Sequence, residues 1–583
     1  MQPFKHRAPG NIPIDRKTRI EYLGIHNYTY CNGMSTVFVF PPQASPTYVP
    51  LGLASIAAYL RENHPDARFR ILDLNLQTWN TKLHQLEPEF EMSYFIRVHR
   101  DDFFTAPIYQ RYLTLKDAVG ERIHTLYQEA KVYIETGTPS SGMEKFLEES
   151  MKYFQTGESS TPPQLIGFSV MFPKQLIFAL ALSKRAKKMH PLLKIVLGGA
   201  ALSTVEGEEI LAACPYVDAI VIGEGEVAAG MLLAGRDERE IPGLISRKGR
   251  NLKPDTMSMN CLPFPDFSVF PLDLYWNPSP VLPVLFSRGC RWRKCRFCAH
   301  NFSFSGYRTR SVAQFADQLA EYKRLFGAEH FYFADQYIDV LDLESIADVL
   351  LRRDLRIHFH CMGRPTRDNT RTRLEKIAFS GLRWVSWGVE TGSQRLLELC
   401  GKGTLISEIA QVLRDSHSVG IHNLLMMIFG LPTSSDEDLA RTFEFVERLS
   451  CEIHEMKESV FCLMKNTGFA KNARSYGLKI TGAQELFHSG GRRVHSFKLD
   501  FREIGADGST RPPRGPMELG IWEKRKKWIF EDSPLRLMSA EHSLLAVSAG
   551  GTPPCDTRKS EERIQFPTRR RDDLQADLRA GRA

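Results

Sequence analysis

The first sustained apolar run is Thr36-Val-Phe-Val-Phe40, a β-rich stretch closed by Pro41-Pro42. The apolar positions of Pro50-Leu-Gly-Leu-Ala-Ser-Ile-Ala-Ala-Tyr-Leu60 then recur at helical spacing, and Phe69-Arg-Ile-Leu-Asp73 supplies a second strand with Asp73 at its end. From Trp79 to about Pro163 this alternation gives way to helix-like segments rich in Phe, Tyr and Glu, Met143 to Phe154 among them, which read as an insertion. It resumes with Leu165-Ile-Gly-Phe-Ser-Val170, a helix from Leu176 to Met189, Lys194-Ile-Val-Leu-Gly198, a helix around Glu206 to Cys214, and Ala219-Ile-Val-Ile222 running into Gly223-Glu-Gly-Glu226. Parallel strands that end in Gly-rich turns describe an open α/β sheet, where ligands settle beyond the carboxyl ends of the strands.

A second alternating region follows a linker with prolines at 254, 263, 265, 271, 278 and 280. Val281 to Phe286 is its first strand, and further strands are expected at His330 to Phe333, Arg356 to Cys361, Arg383 to Trp387, Leu424 to Phe429 and Ser459 to Leu463. Ser311 can cap a helix that carries Val312, Phe315, Leu319, Tyr322 and Phe326 on one side and stops at Gly327. Six strands are too few to close a barrel, so an open, partial one is expected. Beyond about Gly468 the periodicity decays. Residues 504–520 and 549–583 are rich in Gly, Pro, Ser, Arg and Asp and are expected to be loop or disordered tail, with one helix over Trp522 to Phe530. The expected organisation is an N-terminal extension (1–34), a Rossmann-like domain (35–235) with its helical insertion (about 79–163), a linker (236–280), a barrel (281–470) and a C-terminal extension (471–583).

At 583 residues the chain can build several domains, each with its own core. Its 43% hydrophobic and 25% charged residues are ordinary for a soluble protein. The best apolar run, Leu165 to Leu182, is broken by Pro173 and Lys174, so no membrane span is expected. Met-Gln-Pro-Phe-Lys-His-Arg at the start lacks the apolar core of a signal peptide, which makes a reducing, cytoplasmic location the expectation. A net charge of +8 is mild for this length, and the basic runs at Arg492-Arg493, Lys524 to Lys527 and Arg569 to Arg571 read as solvated surface or tail. Nucleic-acid binding is not indicated. Eleven cysteines, an odd number and mostly scattered, do not form a disulfide framework.

The exception is Ser287-Arg-Gly-Cys290-Arg-Trp-Arg-Lys-Cys295-Arg-Phe-Cys298, with three thiols in nine residues. Soft thiolates on a short loop suit zinc or iron–sulfur, and the flanking Arg and Lys residues are expected to favour the deprotonated form. A structural zinc normally closes four positions, and His300 is the one local candidate for the fourth. Three cysteines alone would leave one iron of a [4Fe-4S] cluster open.

This loop resembles the cluster-binding loop of the radical S-adenosylmethionine (SAM) enzymes, whose usual spacing is Cys-x3-Cys-x2-Cys with an aromatic before the last cysteine. Phe297 holds the aromatic position, while the first gap has four residues, Arg291 to Lys294. Pro41-Pro42 with Pro50-Leu-Gly52-Leu, then Gly167-Phe-Ser169, Gly198-Gly199 and Gly223-Glu-Gly-Glu226, resemble in this order the cobalamin (B12)-binding domain that precedes the barrel in one large radical SAM subgroup. The Asp-x-His-x-x-Gly motif that supplies a cobalt-ligating histidine elsewhere is absent. The resemblance implies a flavodoxin-like cobalamin domain, a partial (β/α)6 TIM-type barrel and an irregular C-terminal extension. It implies a [4Fe-4S] cluster on Cys290, Cys295 and Cys298, and cobalamin held by the backbone and small side chains of Gly167, Ser169, Gly198, Gly199, Gly223, Glu224, Gly225 and Glu226.

For SAM it implies Phe297 beside the adenine, Asp335 at the segment that meets the methionyl amine, and Gly388-Val-Glu390 accepting hydrogen bonds from the ribose hydroxyls. Read as residues alone, Phe297 is equally a hydrophobic plug, Asp335 a helix cap and Glu390 a surface carboxylate. Lys402, in Cys400-Gly-Lys-Gly-Thr404, also matches a family segment but reads more simply as a solvated lysine. His358 and His360 share one strand face, either lining the barrel or serving metal or proton chemistry. The implied activity is reductive cleavage of SAM to a 5′-deoxyadenosyl radical, hydrogen abstraction from an unreactive carbon, and methylation from methylcobalamin. The implied partners are a flavodoxin or ferredoxin and a small-molecule or peptide substrate, whose site the insertion and the C-terminal region are expected to line. A non-catalytic corrinoid or zinc protein is the alternative. A methylthiotransferase would need three further N-terminal cysteines, where this chain has only Cys31 and Cys214.

Overall fold

The computed structural model describes residues 35–154, 163–252, 257–300, 306–505, 507–526 and 538–549. The expected N-terminal extension with Cys31, and the tail from 550 onward, lie outside the described residues. Strands β1 (Thr36–Phe40), β2 (Phe69–Asp73), β3 (Leu165–Ser169), β4 (Lys194–Gly198) and β5 (Ala219–Val221) form a parallel sheet in the order β2-β1-β3-β4-β5. That is the flavodoxin-like order, with its ligand crevice at the carboxyl edge. All five residues of β1 are buried because helices cover both faces, which is why this strand reads as a continuous apolar run.

Two short antiparallel strands, β6 (Leu244–Ser246) and β7 (Gly249–Arg250), extend the same sheet, so it runs past the boundary expected at 235. The turn into β6 needs Gly243, which has φ 72 and no room for a side chain beside the Ile222 carbonyl. The insertion also begins earlier than expected. Asp73 ends β2 and caps the helix Leu74–Leu86 by accepting the Leu76 N–H at 2.8 Å. The helices Ala106–Thr136 and Ser141–Phe154 then pack Leu126, Ile134, Phe146 and Leu147 with Phe178 and Leu182 of the helix Pro173–Met189. The insertion is therefore an added layer on one face of the sheet and shares its core.

The second sheet contains β8 (Val281–Val284), β11 (His330–Phe333), β12 (His358–Gly363), β13 (Leu382–Glu390), β14 (His422–Phe429) and β15 (Glu455–Val460), all parallel and in the order β15-β14-β13-β12-β11-β8. The two ends do not pair, so the barrel is open. The last strand lies upstream of the expected Ser459 to Leu463. Its alternation is masked by Glu455, Lys457 and Glu458, of which Glu458 faces outward to bond Trp522 and Lys526. The helix-facing side of the sheet carries Leu282, Val284, Phe331, Phe333, Phe359, Val385, Trp387, Leu425 and Met427.

The C-terminal region is ordered well beyond expectation. Antiparallel strands β17 (Leu478–Ser489) and β18 (Arg492–Ile504) seat Phe487 and Val494 in the core of the insertion. The span expected as loop over 504–520 holds the start of the helix Gly515–Lys526. Its polar residues satisfy one another: Arg514 Nε lies 3.0 Å from Glu518, whose other oxygen accepts the Gly430 N–H at 2.7 Å. Trp522 is fully buried, with its ring stacked near Phe429 and Phe443. The helix Ala540–Ser548 lies on the inner face of the barrel, where Leu544 and Leu545 pack on Val281, Trp384 and Leu424. It is held there by His542, whose ring nitrogens meet Tyr109 Oη at 3.1 Å and the Trp276 carbonyl at 2.8 Å. No helix among the described residues is long and apolar enough to cross a membrane.

Candidate cofactor and metal site

The cysteine loop leaves β8 through β9 (Ser287–Arg288), which pairs with β10 (Arg308–Thr309). Gly289 follows with φ 82, and a Cβ there would stand 2.2 Å from the Gly306 carbonyl oxygen. Asp335, at the carboxyl end of β11, pins the exit. Its Oδ1 accepts the Ser287 N–H and Oγ–H, each at 2.5 Å, and Oδ2 accepts the Phe286 N–H at 3.1 Å. Burial pushes this carboxyl up to about 7 despite those bonds. Asp335 is thus consumed in holding the loop. The next helix is capped by Asp339 and not by Asp335.

Past Cys290 the loop docks on the segment after the helix Gln394–Cys400. The Arg296 N–H donates to the Cys400 carbonyl at 2.8 Å, and the Arg296 carbonyl accepts the Phe469 N–H at 3.0 Å. The Phe297 ring packs into a small apolar cluster with Leu396, Cys400, Leu431 and Phe469. The ring anchors the loop through this cluster. Cys290, Cys295 and Cys298 are each half-buried. Burial pushes the Cys295 thiol up to about 11, Lys402 opposes this, and Glu390, Cys298 and Cys290 reinforce it. Arg291, Arg293 and Lys294 are exposed to solvent, so the cation that acts on Cys295 is Lys402. Among the described residues no three His, Cys, Asp or Glu side chains are spaced to hold a metal ion, so a metal must draw these thiols together and displace their protons. His300 is solvent-exposed.

Glu390 ends β13 at φ 71, where the register with β14 shifts between Gly388 and Glu390. Such an irregularity re-aims a side chain. Here it turns the carboxylate to Lys402, whose Nζ donates to Oε1 at 2.6 Å. Lys402 is buried, which overturns its reading as a solvated lysine. A Cβ on Gly388 would lie 2.6 Å from Lys402 Nζ and 3.0 Å from Glu390 Oε1, so the pair needs a glycine beneath it.

The glycines expected to meet cobalamin divide into different roles. Gly167 makes room for the Phe38 ring, which would lie 2.7 Å from a Cβ inside the sheet, so it serves packing. Gly199, at φ 106, abuts the Val170 backbone and serves a tight turn. Gly225 begins the helix Glu226–Leu233 against Ile56. Ser169 and Gly198 sit half-buried at the ends of β3 and β4, and Gly223, after β5, has open space where a side chain would be. These three form the accessible edge. Glu224 and Glu226 are committed elsewhere. Arg288 of the cysteine loop grips both carboxylates and Arg308 grips Glu224 as well. Burial alone would raise Glu226, but the Arg288 charge and hydrogen bond hold it below the ordinary range. The partners stand 62 to 84 residues apart in the chain, so no local pattern announced this latch. His358 and His360 face inward. His360 is fully buried, held low at about 3 by burial, stacked 4.4 Å from Tyr332, and joined to Ser386 Oγ at 2.8 Å.

Comparison with known proteins adds to this geometry. The B12 binding domain family matches residues 155–233, and the Radical SAM superfamily matches residues 284–446. An uncharacterized methyltransferase of Pyrococcus horikoshii is 28% identical over 308 residues, covering 50% of this chain and 65% of the relative. The hopanoid C-3 methylase of Methylococcus capsulatus is 25% identical over 309 residues, 50% of this chain and 57% of the relative. The chain thus spans less than two thirds of the length of either relative. Among solved structures, the fold is shared with the radical SAM methyltransferase TsrM of Kitasatospora setae (TM-score 0.53, 16% identity, 78% of each chain). It is also shared with the cobalamin-dependent radical enzyme OxsB (TM-score 0.58, 16% identity, 85% of this chain and 67% of that one). The chain thus carries a match to the B12 binding domain followed by a match to the Radical SAM superfamily, in a fold shared with solved cobalamin-dependent radical SAM enzymes.

Proposed function

We propose that the protein is a cobalamin-dependent radical SAM enzyme that methylates or otherwise modifies an unactivated carbon of a small-molecule or peptide substrate. The observation that carries this reading is the Arg288 latch. It joins the carboxyl edge of the flavodoxin-like sheet to the cysteine loop at the carboxyl edge of the barrel, which supports a reading in which the two cofactors act on one substrate. Cys290, Cys295 and Cys298 would hold a [4Fe-4S] cluster, since three free, half-buried thiols on one short loop are a soft donor set that suits iron–sulfur. Glu390, fixed by Lys402 over the bare Gly388 backbone, would accept hydrogen bonds from the SAM ribose. The open edge at Ser169, Gly198 and Gly223 fits a corrin face. When bound, the cluster supplies the electron that splits SAM to a 5′-deoxyadenosyl radical, and cobalamin supplies the methyl group.

The methyltransferase and methylase names of the relatives support carbon methylation. A flavodoxin or ferredoxin in the cytoplasm is the proposed electron donor. The test is anaerobic iron–sulfide reconstitution with hydroxocobalamin, followed by dithionite and SAM. Brown protein, a corrinoid spectrum and 5′-deoxyadenosine are expected, and Cys295→Ala bleaches the iron–sulfur absorbance. Bound zinc, or no nucleoside product, overturns the reading in favour of a non-catalytic corrinoid- or zinc-binding protein.

A further inference from the structure

The four-residue gap between Cys290 and Cys295 has a visible destination for its extra length. Arg293 takes a left-handed backbone (φ 51), and Trp292 lies across the Gly401–Gly403 segment. Its Nε1–H donates to the Gly401 carbonyl at 3.0 Å. The Arg364 guanidinium carbon lies 3.6 Å from the ring centroid and the Lys294 ammonium 4.7 Å. Arg364 also donates to the Lys402 carbonyl at 2.7 Å and the Gly403 carbonyl at 2.8 Å. Both glycines are shaped for this docking. A Cβ on Gly403 would stand 2.3 Å from the Trp292 ring, and one on Gly401 would stand 2.7 Å from the Lys294 carbonyl oxygen. Between them sits Lys402, the partner of Glu390.

We propose that Trp292 is a positioning residue, a clamp that fastens the lengthened cysteine loop to the Lys402 segment so that Cys295 and Glu390 keep a fixed relation. The proposal rests on the cluster reading above for its purpose, though the clamp itself is a property of the chain. A stacked cation and an indole hydrogen bond hold it. Trp292 is half-exposed, so its loss leaves the domain cores intact.

The test compares wild type, Trp292→Ala, Trp292→Phe and Gly403→Ala, with urea midpoints as the control for folding. In metal-free protein, Cys295 of Trp292→Ala is alkylated by iodoacetamide about tenfold faster, relative to exposed Cys462, than in wild type. Trp292→Phe retains the stacked cation and falls between the two. Gly403→Ala displaces the ring without touching a thiol and reproduces Trp292→Ala. In reconstituted protein, Trp292→Ala loses its cluster absorbance to a chelator faster and shows a weaker SAM-induced change in the electron paramagnetic resonance of the reduced cluster. Wild-type alkylation rates in Trp292→Ala overturn the clamp whether or not iron is present. Wild-type protein that takes up no iron overturns the cluster reading, and alkylation still decides the clamp.

Discussion

Lys402 sets its ammonium 2.6 Å from Oε1 of Glu390, with both side chains less than a tenth exposed. Two buried charges at this distance are tolerable together and costly apart, because each alone loses its solvation without compensation. Burial works against the Lys402 charge, and Glu390 and Cys295 more than restore it, so the lysine is held above its ordinary range.

Lys402→Ala is expected to lower unfolding stability by about 3–5 kcal/mol, because the Glu390 carboxylate stays buried without its cation. The double change Lys402→Met with Glu390→Gln recovers more than half of that loss. Urea unfolding of the single and double variants measures the coupling.

Gly388→Ala is expected to spare the cluster and harm SAM binding. The added Cβ intrudes on Lys402 Nζ and Glu390 Oε1, 2.6 and 3.0 Å away, and displaces the carboxylate from its aim. Equilibrium dialysis should show SAM affinity reduced by about tenfold or more, equivalent to the loss of one charged hydrogen bond. Iron content should remain at the wild-type level.

Asp335 gives the protein a pH dependence of known sign. Its carboxyl is raised to about 7 when folded, whereas an unfolded aspartate loses its proton near about pH 4. The folded state therefore holds the extra proton between these values. The contribution is fully present below about pH 4 and declines toward about pH 7 at up to about 1.4 kcal/mol per pH unit. Asp335→Asn removes that slope, which urea midpoints at several pH values will show, although the amide cannot accept all three donors and lowers stability at acid pH.

Arg288→Ala is expected to leave Glu226 buried without its main cation and to cost about 3–5 kcal/mol at the junction of the two domains. Limited trypsin digestion should then cut between 236 and 280 sooner than in wild type. A pattern unchanged from wild type would show that the domains are held together by other contacts.

Most strands of both sheets were legible because parallel strands buried on two faces are written as short apolar runs, as in Thr36 to Phe40. The cysteine loop was legible from thiol spacing alone. Glu390 was legible as a site residue only through family resemblance, while its partner was not. Gly-Lys-Gly looks like a solvated turn until the backbone folds Lys402 under Gly388. Glu224 and Glu226 looked like cofactor contacts because their cation, Arg288, comes from another domain. Residues 504–520 looked structureless because their charges cancel against each other and against Asp436, which composition cannot show.

The helix Ala540–Ser548 is a plug for the inside of the open barrel. Leu544 and Leu545 are buried against Val281, Trp384 and Leu424, whereas the supports of the cysteine loop, Asp335 and Arg364 among them, come from other segments. Shortening either leucine would leave a void at a cost of about 2–5 kcal/mol and would touch none of the contacts that hold the thiols in place.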